Sequence, residues 1–201
     1  MTILDVLKIA FGLFLAYDFI KYLRSGMLKR HWSVFSRRSA TDWVRVLVLV
    51  SIELALLLVV IATLLALSPK ILGFSWLSLL AQTPEEKTGT NLMIAPATVP
   101  WAGIAFFVLL GLNLPRLARR EEEMFRRGTT SWKDAVPRSV RFGFIHMVVG
   151  VPVAAALGLI GSGLFFTWRY FVGGTRDAAF YHTIHNFVLL SLVGVYLLMG
   201  K

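Results

Sequence analysis

The chain has 201 residues, 57% of them hydrophobic and 16% charged, with 21 Lys and Arg against 11 Asp and Glu. Soluble domains carry about 25% charged residues, so this balance excludes an ordinary water-exposed surface and points to one lipid-embedded bundle without a separate soluble domain. Cysteine is absent, which excludes disulfides, thiolate nucleophiles and metal ligation through sulfur.

In chain order, the apolar run 9–17 is confined by Asp5, Lys8, Asp18 and Lys21. It reads as a short span or as an amphipathic segment lying in the interface. It lacks the basic start and small-residue cleavage site of a signal peptide. Seven Lys and Arg follow between 21 and 45, and eight more lie between 116 and 141. Cations concentrated beside membrane spans mark the cytoplasmic face, or its organellar equivalent. That placement, on a chain with no soluble fold, argues against a nucleic-acid partner.

A span needs about 20 mostly apolar residues. Residues 46–67 form the clearest one, with Glu53 as the only charge. Glu53 reads as a buried carboxylate bonded to a neighbouring helix. Residues 68–99 carry only Lys70 and Lys87 as cations and belong on the opposite face; the stretch ILGFSWLSLL reads as an interfacial segment anchored by Trp76. A second span, 100–114, runs into the charged stretch RLARREEEMFRRG. A third, 142–166, is interrupted by Gly150, Pro152, Gly158, Gly161 and Gly163, and a fourth covers 178–199. The fold expected is therefore all-α: a polytopic membrane bundle of four or five transmembrane helices, with a broken or re-entrant segment near 150–163. The protein would be a multi-pass integral protein of an inner, plasma or organellar membrane.

Ionisable groups at membrane depth are costly and by default mark function. Phe142 and His146 are four residues apart and share a helix face, as do His182 and Asn186. Glu121, Glu122 and Glu123 extend the second span, with Arg119, Arg120, Arg126 and Arg127 at pairing distance along a helix. Peptide hydrolysis requires a base for water and donors for the oxyanion. A glutamate shielded from water has its pKa raised towards the useful range. His146 would hold or share the same water, and His182 with Asn186, one turn apart, would supply the donors. Two histidines with two carboxylates would also suit zinc.

The three motifs, Glu121-Glu122-x-x-Phe125-Arg126, Phe142-x-x-x-His146 and His182-x-x-x-Asn186, in that order, resemble those of the CPBP (Abi) family of intramembrane proteases. That family includes CAAX prenyl endopeptidases and bacteriocin-processing or immunity proteins. A second register, Glu122–Glu123 with Arg127, keeps an arginine–glycine end at Gly128; Glu122 belongs to both. The resemblance covers the 100–201 half of this single transmembrane domain and does not extend to 1–99.

The resemblance implies a glutamate-activated water with no cofactor and no tightly bound metal, and catalytic roles for Glu121, Glu122, His146, His182 and Asn186. Expected partners are membrane lipids and a membrane-associated or lipidated peptide or protein substrate, with a larger membrane complex as a further candidate. Two other classes fit the same residues. One is a non-catalytic assembly or immunity factor that keeps the motifs as a polar core. The other is a haem or pigment binder using His146 with His182 or His185. For His146 to meet His182, the chain between them must fold back, at 150–152 or at 161–163.

Overall fold

The computed structural model describes residues 3–79 and 100–199, and every regular element among them is helical. The α-helices are α1 (Ile3–Arg24), α2 (Met27–Ser36), α3 (Ala40–Leu67), α4 (Pro69–Leu72), α5 (Pro100–Phe125), α6 (Trp132–Ile145) and α7 (Val153–Met199). Short 3-10 turns occupy Trp76–Leu79 and His146–Val149. Residues 80–99, which complete the connection expected on the opposite face, lie outside the described residues.

Two of the described helices, α3 and the 153–195 part of α7, are long and apolar enough to cross a membrane. The count is lower than four or five in part because α7 is counted once while taking in the later part of the span expected over 142–166 and the span expected over 178–199, and in part because α1 carries charges along its length. Asp5, Lys8 and Asp18 of α1 are buried, as is Arg116 of α5. Asp18 Oδ1 takes ion pairs from Arg116 and Arg120, both at 3.0 Å, and Arg116 also donates to the Asp18 carbonyl at 2.8 Å. Asn113 of α5 donates to the Leu15 carbonyl at 3.1 Å. These contacts dock α1 on α5 and place the two basic segments at one end of the molecule.

Helix α3 begins at a capping box: Ser39 accepts from the Asp42 amide, and the Asp42 carboxylate accepts from the Ser39 amide. One stripe, Val46, Val50, Glu53, Leu54 and Leu57, is buried, against Phe180, Tyr181 and Ile184 of α7. The other faces expose Val44, Leu47, Val48, Ile52, Leu56, Leu58, Val59 and Val60. An apolar helix exposed on several faces would be costly in water and is at home in hydrocarbon.

Pro115 lies inside α5 and does not end it, so Glu121, Glu122 and Glu123 ride on the same helix as the apolar run. The expected span 142–166 is not one helix. Its first residues belong to the amphipathic α6, which ends at Ile145, and α7 starts only after left-handed Gly150 (φ 84°) and Pro152. Residues 161–163 stay helical. Trp76 buttresses this break, its Nε1 donating to the Met147 carbonyl at 2.7 Å, while Ser75 Oγ donates to the Gly150 carbonyl at 2.7 Å.

Helix α7 is itself interrupted at Gly174 (φ 72°, ψ −171°). A positive φ there suits glycine and strains any side chain. The bend divides α7 into arms 153–173 and 175–199, and α7 packs against α3, α5 and α6.

Candidate functional site

The last turns of α5, the end of α6 and both arms of α7 converge on the glutamate pair. Glu122 is fully buried, as are Arg126, His182 and His185, and Phe142 and Phe166 beside them. His182 places Nδ1 2.8 Å from Glu122 Oε1. A carboxylate only accepts, so this contact assigns the proton to Nδ1. The opposite nitrogen of the ring, Nε2, then points 3.5 Å from Glu121 Oε2.

His146 follows the same pattern. Its Nδ1 lies 2.7 Å from the Phe142 carbonyl, four residues back on α6, and so carries the proton. Its Nε2 faces the same Glu121 Oε2 at 3.9 Å. Three acceptors, two imidazole lone pairs and one carboxylate oxygen, thus surround one small region. That carboxylate oxygen is buried and has no hydrogen-bond partner among the described residues. Such convergence is electrostatically unfavourable unless a proton or a small donor lies between the groups.

The second glutamate has a different environment. Glu122 Oε2 lies 3.5 Å from Arg126 Nε, one turn on along α5. Arg126 is enclosed by rings: its guanidinium carbon sits 4.1 Å from the Phe142 centroid, with Phe125 and Phe166 at 5.7 and 5.8 Å. It donates to the Gly163 carbonyl at 3.2 Å. A Cβ on Gly163 would come within 3.0 Å of Ser139 Cβ and 3.2 Å of Arg126 Nη2, so glycine permits this approach. Phe166 stacks on His182 at 4.2 Å and 17° and meets His185 edge-on.

The geometry distinguishes the three adjacent glutamates. Glu121, Glu122 and Arg126 face inward. Glu123 turns outward to pair with Arg119 at 2.8 Å, and Arg127 is exposed. The structure therefore brings Glu121, Glu122, His146 and His182 together. Asn186 is half-buried one turn beyond His182, and its side chain takes no part in the hydrogen bonds among the described residues.

Glu53 occupies a separate polar centre. Ser162 Oγ donates to its Oε1, and His185 Nδ1 reaches its Oε2, both at 2.5 Å. One α3 carboxylate thus ties both arms of α7, and His185 faces this pair.

Phe166 and Ser162 were invisible as partners in the sequence. They stand 16 and 109 residues from His182 and Glu53, with no periodicity linking them. Among the described residues no group of three or more His, Asp or Glu side chains is arranged as a metal-ligand set. Comparison with protein-family models, characterised proteins and solved structures finds no match to this chain. The functional reading therefore rests on the residues and their geometry.

Proposed function

We propose that the protein is a membrane-embedded, glutamate-dependent endopeptidase of CPBP type that cleaves a membrane-associated or lipidated peptide. The observation that carries this reading is the convergence of Glu121 Oε2, His146 Nε2 and His182 Nε2 within 3.5 and 3.9 Å. A water molecule within reach of these acceptors would donate its protons to them and turn a lone pair towards a carbonyl carbon. Glu121 takes one proton as the water's oxygen bonds to that carbon. It returns the proton to the leaving amine as the C–N bond breaks. His182 Nε2 would help to hold the water, and the Asn186 amide would donate to the oxyanion. Glu122 is not the base on this reading; it orients His182 and balances the buried Arg126.

The same reading takes α1, α3, α5 and the two arms of α7 as membrane crossings, each about 30 Å or longer at ~1.5 Å per residue. Exposed Leu13, Phe14 and Tyr17 on α1, Ile104 and Val108 on α5, and Leu192 and Val195 on α7 support it. Helix α2 then lies at the basic face, while α6 starts there beside Arg127 and leads to the 147–153 break, which bonds to Phe74, Ser75 and Trp76 beyond the far end of α3.

A second reading, a non-catalytic assembly or immunity factor, draws on the tight Glu122–Arg126–His182 knot, which would serve a polar core equally well. Terminal-peptide profiling of membranes separates the two. Strains carrying no copy, the native chain or Glu121→Gln would be compared. New peptide termini that require the native chain and vanish in Glu121→Gln support hydrolysis. Termini indifferent to Glu121, with the strain's phenotype rescued, support the factor.

A further inference from the structure

Where α7 bends, the first turns of α3 and the two arms of α7 enclose a cleft of about 240 Å³ lined by Arg38, Asp42, Arg45, Arg169, Asp177 and Tyr181, among others. It belongs to neither polar centre described above. Both of its carboxylates are already engaged. Asp177 receives Arg169 through Nε at 3.0 Å and Arg38 at 3.1 Å, and Asp42 is held by Ser39 in the cap of α3. Arg169 is buried and lies 4.1 Å over the Tyr181 ring. Arg45 is different: it is exposed, and among the described residues it forms no hydrogen bond or ion pair, although it lies in electrostatic range of Asp42. Three arginines against two aspartates leave the cleft with one net positive charge.

The walls continuing from the cleft are apolar and open. Val44 and Val48 neighbour Arg45 on α3; on α7, Val172 lines the cleft and the Trp168 ring lies 5.0 Å from the Arg169 guanidinium; all four apolar side chains are exposed. A cationic cleft contiguous with exposed aliphatic and aromatic side chains, at the basic end of a membrane bundle, matches an amphiphile with one negative charge. Soluble phosphate would use the cations and leave the walls unused.

We propose that this cleft binds the phosphodiester headgroup of an anionic membrane lipid, with its acyl chains along the α3 and α7 walls. Arg45 supplies the unspent cation, and Arg38 and Arg169, oriented by Asp177, form the back of the site. The proposal requires the chain to be membrane-embedded and is independent of peptide hydrolysis.

The test uses the full-length protein reconstituted in phosphatidylcholine bilayers, with phosphatidylglycerol titrated in and the melting temperature read at each step. A ligand that binds the folded state raises it by an amount that grows with the logarithm of one plus the ratio of ligand concentration to Kd. The native chain should be stabilised progressively. Arg45→Gln should require roughly five-fold more phosphatidylglycerol for the same shift, as expected for one cation near an anionic surface. Arg45→Lys, which keeps the charge, should retain most of the response. Lys133→Gln, which removes an exposed cation of α6 outside the cleft, should respond like the native chain. Three results would each overturn the proposal: an unchanged response in Arg45→Gln, an equal loss in Lys133→Gln, or the same stabilisation from inorganic phosphate at matched phosphorus concentration in pure phosphatidylcholine.

Discussion

His182 stands between two neighbouring glutamates of one helix, with Nδ1 2.8 Å from Glu122 Oε1 and Nε2 3.5 Å from Glu121 Oε2. Consecutive helical residues point about 100° apart, so one imidazole reaches both carboxylates by presenting its two nitrogens in different directions. Stacking on Phe166 holds it there. One carboxylate thereby becomes the ring's anchor, and the other faces its free nitrogen.

The two histidines should consequently separate stability from activity. His182→Ala unpairs a fully buried carboxylate and should cost roughly 1–3 kcal/mol. His146 is partly exposed and bonds only to its own helix, so His146→Ala should cost about 1 kcal/mol or less while abolishing processing. Thermal melts in detergent, run beside the terminal-peptide assay, check both.

The Glu53 clamp makes a second prediction. Glu53→Ala leaves Ser162 and His185 without their partner across the two arms of α7, at ~1–3 kcal/mol for each group stranded. Glu53→Gln keeps an acceptor and should lose less. Equal melting temperatures for Glu53→Ala and the native chain would show that the clamp contributes nothing.

Much of the site was legible before the fold. The i,i+4 spacing of Phe142 with His146 fixes a shared face on any helix, and Gly150 with Pro152 announces the break that lets α7 return. The choice between Glu121 and Glu122 was not legible: all three glutamates are adjacent, and only the packing of α6 and α7 decides which side His146 and His182 occupy. The separate span expected over 142–166 failed for a local reason. Arg138 and Arg141, with Asp134, make α6 amphipathic, and its apolar end merges in sequence with the start of α7. The charge of Asp18 obscured a full-length α1 because its partners, Arg116 and Arg120, lie about a hundred residues away.

Outside the membrane helices, α2 carries a pH-sensitive contact. His31 Nδ1 lies 2.8 Å from the Tyr22 hydroxyl. Burial, then the Arg119 charge, holds its pKa below the ordinary 6.5. A depressed imidazole pKa means that the folded state prefers the neutral ring. This contribution is present above pH 6.5 and is lost as pH falls through the lower folded value. Hydrogen exchange of residues 27–36 should speed up between pH 7 and 5, after correction for intrinsic rates, and His31→Asn should remove the change. Slower corrected exchange at pH 5 would contradict it.

The shared end of the two basic segments predicts sidedness. Cysteines placed at the exposed Ser36 and Thr130 should react with an impermeant thiol reagent from the same side of sealed vesicles. Labelling from opposite sides would break the arrangement of α1 to α6 across the membrane.

The identity of the base is tested most directly by the cleavage rate per folded molecule for Glu121→Gln and Glu122→Gln, measured in purified membranes on a peptide identified by terminal profiling. Glu121→Gln should melt like the native chain and lose roughly 10²–10⁴-fold in rate. Glu122→Gln leaves Arg126 as a buried, uncompensated cation and should lose roughly 3–5 kcal/mol of stability, with a smaller loss of rate in the molecules that fold. A Glu121→Gln protein that cleaves at the native rate would contradict the assignment of Glu121 as the water-activating base.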